Sequence, residues 1–152
     1  MIVASGADDG QIILSQASTG QKLHAFSAYQ SKVIPVTGGI TFSKHSEFLA
    51  TGLADGIVKL WDLKRRIQLR TFRSNAPFSY NYNSAAAQQY NSSPATSICF
   101  NAPNSLLACS NSKGLISLFP TTDLTTQGSD AAPLTNYTPE ICIFKQNEHP
   151  VH

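Results

Sequence analysis

One pattern recurs three times along the chain, and no other feature restricts the fold as tightly. It is a run of small or apolar residues, a polar turn closed by glycine, and then an alternating apolar segment. The copies are Ile2 to Gly10 followed by Gln11 to Leu14, Leu49 to Gly56 followed by Ile57 to Leu60, and Leu106 to Gly114 followed by Leu115 to Leu118. Gly10 and Gly56 stand 46 residues apart, and Gly56 and Gly114 stand 58 apart. Ser74 to Pro94, rich in Asn, Ser, Ala, Gln and Tyr, accounts for the longer second interval. A unit of this size cannot bury its apolar face alone, so repeated copies must stack on one another.

Within each copy the signals are those of hairpins. Asp55-Gly56 suits a tight turn because glycine accepts positive φ without a Cβ clash. Ile57, Lys59 and Trp61 alternate with Val58, Leu60 and Asp62, which reads as a largely buried strand. Ile67 to Phe72 alternates again after a polar turn at Lys64, Arg65 and Arg66. Gly39 to Phe42 and Ser97 to Phe100 supply a preceding strand in the second and third copies. Four strands in roughly 40–45 residues is the size of one propeller blade.

The residues of the second copy, Thr51-Gly52, Asp55-Gly56 and Lys59-Leu60-Trp61-Asp62, resemble a WD40 repeat. The resemblance covers roughly residues 1–125 and implies an all-β fold, a partial WD40 β-propeller of about three four-stranded antiparallel blades. It also implies a buried polar network: a Ser or Thr on the second strand, an Asp in the following turn and the Trp of the third strand. Thr51, Asp55 and Trp61 fill those places; Ser5 and Asp9 are the equivalents in the first copy. The family's fourth place, a His entering the blade, is empty, although Tyr29 lies near it. The first copy has Ser15-Gln16 where Trp-Asp would stand, and the third has Cys109, Lys113 and Phe119-Pro120 in the Ser, Asp and Trp-Asp places. Apolar positions persist while the polar set decays, the pattern of blades held by packing.

The expected organisation is a partial first blade at 1–27, a second blade at 28–73, a low-complexity insert at 74–94, a third, degenerate blade at 95–138, and a tail or first strand of a further blade at 139–152. About three blades cannot close a ring, and open apolar sheets invite association. The expectation is a truncated product, or a fragment completed by missing blades or another chain.

Composition narrows the function. The 152 residues are 41% hydrophobic and 13% charged, with a net charge of +2, too small to argue for nucleic acid. No apolar run approaches the roughly 20 residues of a membrane span, and the first ten residues lack the basic and apolar segments of a secretory signal. A reducing, cytoplasmic location follows as the default for Cys99, Cys109 and Cys142. Cys99 and Cys109 fall on adjacent strands, read as packed thiols in preference to a disulfide. The four histidines are scattered and read as loop and tail residues, not metal ligands. Asn136-Tyr-Thr138 fits a glycosylation acceptor by coincidence. No nucleophile–base signature is present, so the expectation is no enzyme, no cofactor and no metal.

A non-catalytic scaffold for protein–protein interaction is therefore the expected function. Lys64, Arg65 and Arg66 are the candidate partner contacts, read as either a solvated turn or a surface for acidic groups, with Arg70 and Arg73 nearby. Tyr80 and Tyr82 are candidates if the insert is a recognition loop and not disordered. The order Trp61-Asp-Leu-Lys-Arg-Arg66, then Gly114-Leu-Ile-Ser-Leu118 without Trp-Asp, resembles centrosomal WD-repeat adaptors that target the γ-tubulin ring complex. That implies γ-tubulin complex components as partners and a centrosome or spindle location. A substrate-recognition or vesicle-coat propeller subunit and a non-functional fragment are the alternatives.

Overall fold

The computed structural model describes residues 1–30, 32–73, 94–112 and 114–121, and the backbone of the two strands at 134–137 and 141–145. Every regular element among them is a strand. β1 (Ile2–Gly6), β2 (Gln11–Gln16) and β3 (Lys22–Ser27) form a first sheet in the order β1-β2-β3. β4 (Val36–Phe42), β5 (Phe48–Leu53), β6 (Ile57–Asp62) and β7 (Ile67–Arg73) form the second, and β8 (Ala95–Phe100), β9 (Leu106–Asn111) and β10 (Leu115–Pro120) begin the third. The described chain is thus all-β, three packed sheets arranged as the expected partial propeller would have them.

The blades depart from four strands apiece. The first has three among the described residues. β11 (Leu134–Tyr137) adds a fifth strand to the second sheet, parallel to β7, whereas the other pairings among the described residues are antiparallel. β12 (Ile141–Lys145) pairs antiparallel with β10 and is the outermost strand of the third sheet. Ile141 to Lys145, read from sequence as a tail or the first strand of a further blade, lies beside β10 in the structure. The chain completes the third sheet after a long excursion instead of a short turn.

The repeat read from sequence is a repeat of turns. Gly10, Gly56 and Gly114 have φ of 79°, 74° and 74°, and each donates its amide to the residue three earlier: Ala7, Leu53 and Asn111. The other end of the blades repeats as well. Ser43 Oγ accepts the Phe48 amide and Asn101 Oδ1 accepts the Leu106 amide, with Ser46 and Asn104 both at positive φ. Asn104 also accepts the Lys44 amide at 3.0 Å, tying the second blade's turn to the third's.

Both faces of the second sheet are covered. Ala50, Val58, Leu60 and Phe72 pack on Ala95, Ile98, Leu107, Cys109 and Phe119 of the third sheet. Leu49, Leu53, Ile57 and Trp61 pack on Ile12, Leu14 and Phe26 of the first. Burial on both faces is why Ile57 to Trp61 is buried at every position and lacks a polar side. One aromatic pairing occurs twice. Phe26 of β3 lies 4.8 Å from Trp61 of β6, and Phe72 of β7 lies 4.7 Å from Phe119 of β10. Phe119 thus does the third blade's share of what the Trp does in the second.

The Cys99–Cys109 expectation is refined. Cys99 stands opposite Ala108 and Cys109 opposite Ile98, so the two thiols lie on opposite faces, Cys99 exposed and Cys109 buried. His24 packs edge-on against Phe26 at 4.6 Å. No helix among the described residues is long and apolar enough to cross a membrane.

The inner strands approach most closely at Gly38, where an added Cβ would sit 2.5 Å from Ala95 Cβ and 2.9 Å from its carbonyl. Backbone on the far side leaves nothing to rotate away. Gly38→Ala is expected to cost about 1–3 kcal/mol as an overpacked contact, read by urea unfolding.

Candidate functional site

The polar residues of the second blade fall into two clusters at opposite ends of its strands. Within the β5–β6 pair, alternation puts Thr51 and Trp61 on one face. The indole Nε1 donates to Thr51 Oγ1 at 3.0 Å, with both residues buried. A buried indole N–H without an acceptor would carry a desolvation penalty, so Thr51 is the residue that lets Trp61 fill the space between sheets.

Asp55 completes a different set. Its Oδ1 accepts the Ile57 amide at 3.3 Å, closing its own turn, while Oδ2 accepts the Tyr29 hydroxyl at 2.7 Å and lies 3.5 Å from Lys32 Nζ. Tyr29, in the link from β3 to β4, thus reaches the aspartate of the β5–β6 turn. Two ammonium groups lie over its ring, Lys32 Nζ at 4.1 Å and Lys59 Nζ at 4.3 Å from the centroid. Lys59, on the central strand, is only 6% exposed and donates to Gln68 Oε1 at 2.6 Å; Gln68 in turn donates to Thr71 Oγ1. Ring faces and a side-chain amide replace water around its charge.

The first blade's equivalents do not extend this network. Ser5 and Asp9 are exposed, and Asp9 Oδ1 accepts the Gln11 amide at 2.9 Å within its own turn.

Burial shifts two of the ionisable groups. It pushes the Tyr29 hydroxyl well above its ordinary range, reinforced by the hydrogen bond to Asp55 and that carboxylate's charge. It holds Lys59 below its ordinary value; Asp55 opposes this and Lys32 adds to it. This end of the blade carries fixed charges in close packing. Among the described residues no three of His, Cys, Asp and Glu gather as metal ligands would.

The second cluster is the β6–β7 turn. Asp62, the residue after the Trp, is its organiser. Its Oδ1 accepts the Arg65 amide at 2.8 Å, its carbonyl accepts the Arg66 amide at 2.8 Å, and Oδ2 lies 3.8 Å from Arg65 Nε. Arg66 takes a φ of 60° to finish the turn. Lys64, Arg65 and Arg66 are all exposed, with Lys44 and His45 exposed in the β4–β5 turn of the same sheet. Arg70 is buried at 6% exposure and so is no part of this surface, contrary to its grouping with the basic cluster. Tyr80 and Tyr82 lie outside the described residues.

Three residues that matter here were missed or discounted in the sequence: Tyr29, Lys59 and Asp62. Tyr29 was visible only as an aromatic near a His place. Lys59 and Asp62 figured only as members of the Lys59–Asp62 motif.

The pH dependence follows in sign. Tyr29 holds its proton more tightly when folded, so what its hydroxyl contributes is present below tyrosine's ordinary value near 10 and is lost as pH rises toward the folded one. Lys59 holds its proton less tightly when folded, so stability rises with pH between its lowered value and the ordinary lysine one. Urea unfolding from pH 7 upward is expected to show a shallower alkaline decline in Tyr29→Phe, besides a loss of about 1 kcal/mol at neutral pH. Lys59→Met is expected to lose the rise that precedes it.

Residues 20–62 match the family model WD40, described as WD domain, G-beta repeat. None of the curated proteins compared with the chain matches it. The matched span begins in the turn before β3 and ends with β6, so it joins the last strand of one sheet to the first three of the next. Such an offset links neighbouring blades covalently. The match covers less than a third of the 152 residues, and it is this span that carries the likeness to a WD repeat.

Proposed function

We propose that the chain is a non-catalytic scaffold for protein–protein interaction, with the Lys64–Arg66 turn as its contact for an acidic protein surface. The observation that carries this is the way Asp62 fixes the turn. Its carboxylate and its carbonyl each accept a backbone amide, which sets the loop's shape and leaves the three cationic side chains exposed. WD40 domains in general bind other proteins, and the likeness at residues 20–62 supports that class.

Two further surfaces fit the reading of a chain completed by other blades or another chain. The outward face of the first sheet carries Val3 and Leu23, 49% and 40% exposed, and that of the third carries Ile116 at 39%. Uncovered apolar faces of this kind favour association.

The finer proposal is an adaptor for microtubule nucleation at the centrosome or spindle. It rests on the order of the Trp61–Arg66 and Gly114–Leu118 motifs. Its direct test is capture of purified γ-tubulin ring complex by the immobilised chain. Capture is expected to fall at least tenfold in the Lys64→Glu, Arg65→Glu, Arg66→Glu variant and to weaken as salt rises. Absence of capture would remove the γ-tubulin partner. Capture indifferent to the charge reversal would remove the basic turn.

A further inference from the structure

The third sheet gets its fourth strand by an unusual route. The turns from β2 to β3 and from β6 to β7 take residues 17–21 and 63–66, whereas the link from β10 to β12 takes 121–140. Midway the chain leaves its own sheet and lays β11 along the outer edge of β7 in the second sheet, Leu134 opposite Arg70 and Tyr137 opposite Phe72, with a register shift between them. It then returns to pair with β10.

Connectivity does not force this pairing. Adjacent antiparallel strands can follow from a hairpin, but a parallel strand arriving from another sheet pairs because the edge accepts it. β7 has one edge on β6 and offers the other. The resident strand is also short by construction. Pro133 and Pro139 flank Leu134-Thr-Asn-Tyr-Thr138 in the sequence, and neither has an amide hydrogen to extend a ladder. Four residues, parallel and out of register in the middle, give a weaker ladder than any other strand pair of the second sheet.

We propose that the outer edge of β7 is a strand-acceptor site for an uncharged, extended segment of another protein, which β11 occupies in the structure. The partner segment adds parallel to β7 by main-chain hydrogen bonds. Its chemistry is that of Leu134–Tyr137: no charge, a large side chain at each end with two small polar residues between, and proline flanking. Being tethered, β11 competes at high effective concentration, so the site opens to partners that outlast it. This edge is distinct from the basic turn, and its test does not depend on any partner of that turn.

The probe is a fluorescein-labelled peptide of residues 131–140. It is titrated into the intact chain and into a Thr135→Pro, Asn136→Pro variant, whose β11 can no longer pair. Binding at least tenfold tighter to the variant, with slowed hydrogen exchange of β7 amides on addition of peptide, is the expected result. No binding to the variant, equal binding to both, or binding without protection of β7 would each overturn the proposal. Should the variant fail to keep the Trp61 emission of the folded chain, hydrogen exchange of the intact chain decides. Amides in the β7–β11 pairing are then expected to exchange at least a hundredfold faster than those between β5 and β6. Exchange of both sets only by whole-chain unfolding would contradict a displaceable strand. A concentration-dependent dimer of the intact chain by light scattering, lost in the variant, would make the occupant a second copy and overturn the assignment to a separate partner.

Discussion

The double-sided burial of the second sheet is the constraint on which the rest of the molecule depends. β6 packs Val58 and Leu60 toward the third sheet, and Ile57 and Trp61 toward the first. Neither outer sheet has a second covered face among the described residues, so each gains its core only through the middle one. Burial of a large apolar side chain contributes on the order of 1.5–3 kcal/mol, and here the same strand supplies it to two interfaces. The two aromatic pairs, Phe26 with Trp61 and Phe72 with Phe119, repeat one geometry with different residues. Packing is what the repeats share; the polar network belongs to the middle blade.

That division explains how the polar residues are placed. Thr51 satisfies the buried indole at the sheet interface, and Asp55 with Tyr29 closes the rim above it. Asp62 shapes the opposite turn and leaves its cations outside. Structural roles therefore occupy Asp55 and Asp62, while the basic side chains at 64–66 stay available. A scaffold whose rigid part is apolar can present charged turns at little cost in stability, since exposed pairs such as Arg65–Asp62 contribute little themselves.

How far the sequence revealed this depends on the element. The hairpin turns were legible because glycine at positive φ marks them and because period-2 alternation flanks them. Thr51 and Trp61 were legible by position. Tyr29 was not, because its loop carries extra residues and nothing in the sequence shows that a phenol can span from the β3–β4 link to Asp55. Arg70 looked like part of a basic cluster, yet strand alternation buries it while Lys64–Arg66 stay out. Cys99 and Cys109 looked like neighbours, but the register sets Ala108 opposite Cys99. β12 could not be placed, since residues 121–140 separate it from β10 where a hairpin would need only a few. β11 was hidden for the same reason, its four residues being too few for a periodic signal.

Cooperative unfolding of the two sheet interfaces tests the shared middle sheet most directly. In a Cys99→Ser, Cys142→Ser chain the single Trp reports the interface between the first and second sheets, and the remaining buried thiol, Cys109, reports that between the second and third. Trp61 emission and Cys109 labelling are followed through one urea titration. The account predicts a single transition with the same midpoint for both probes. Labelling of Cys109 complete at urea concentrations where Trp61 emission is still native would contradict it.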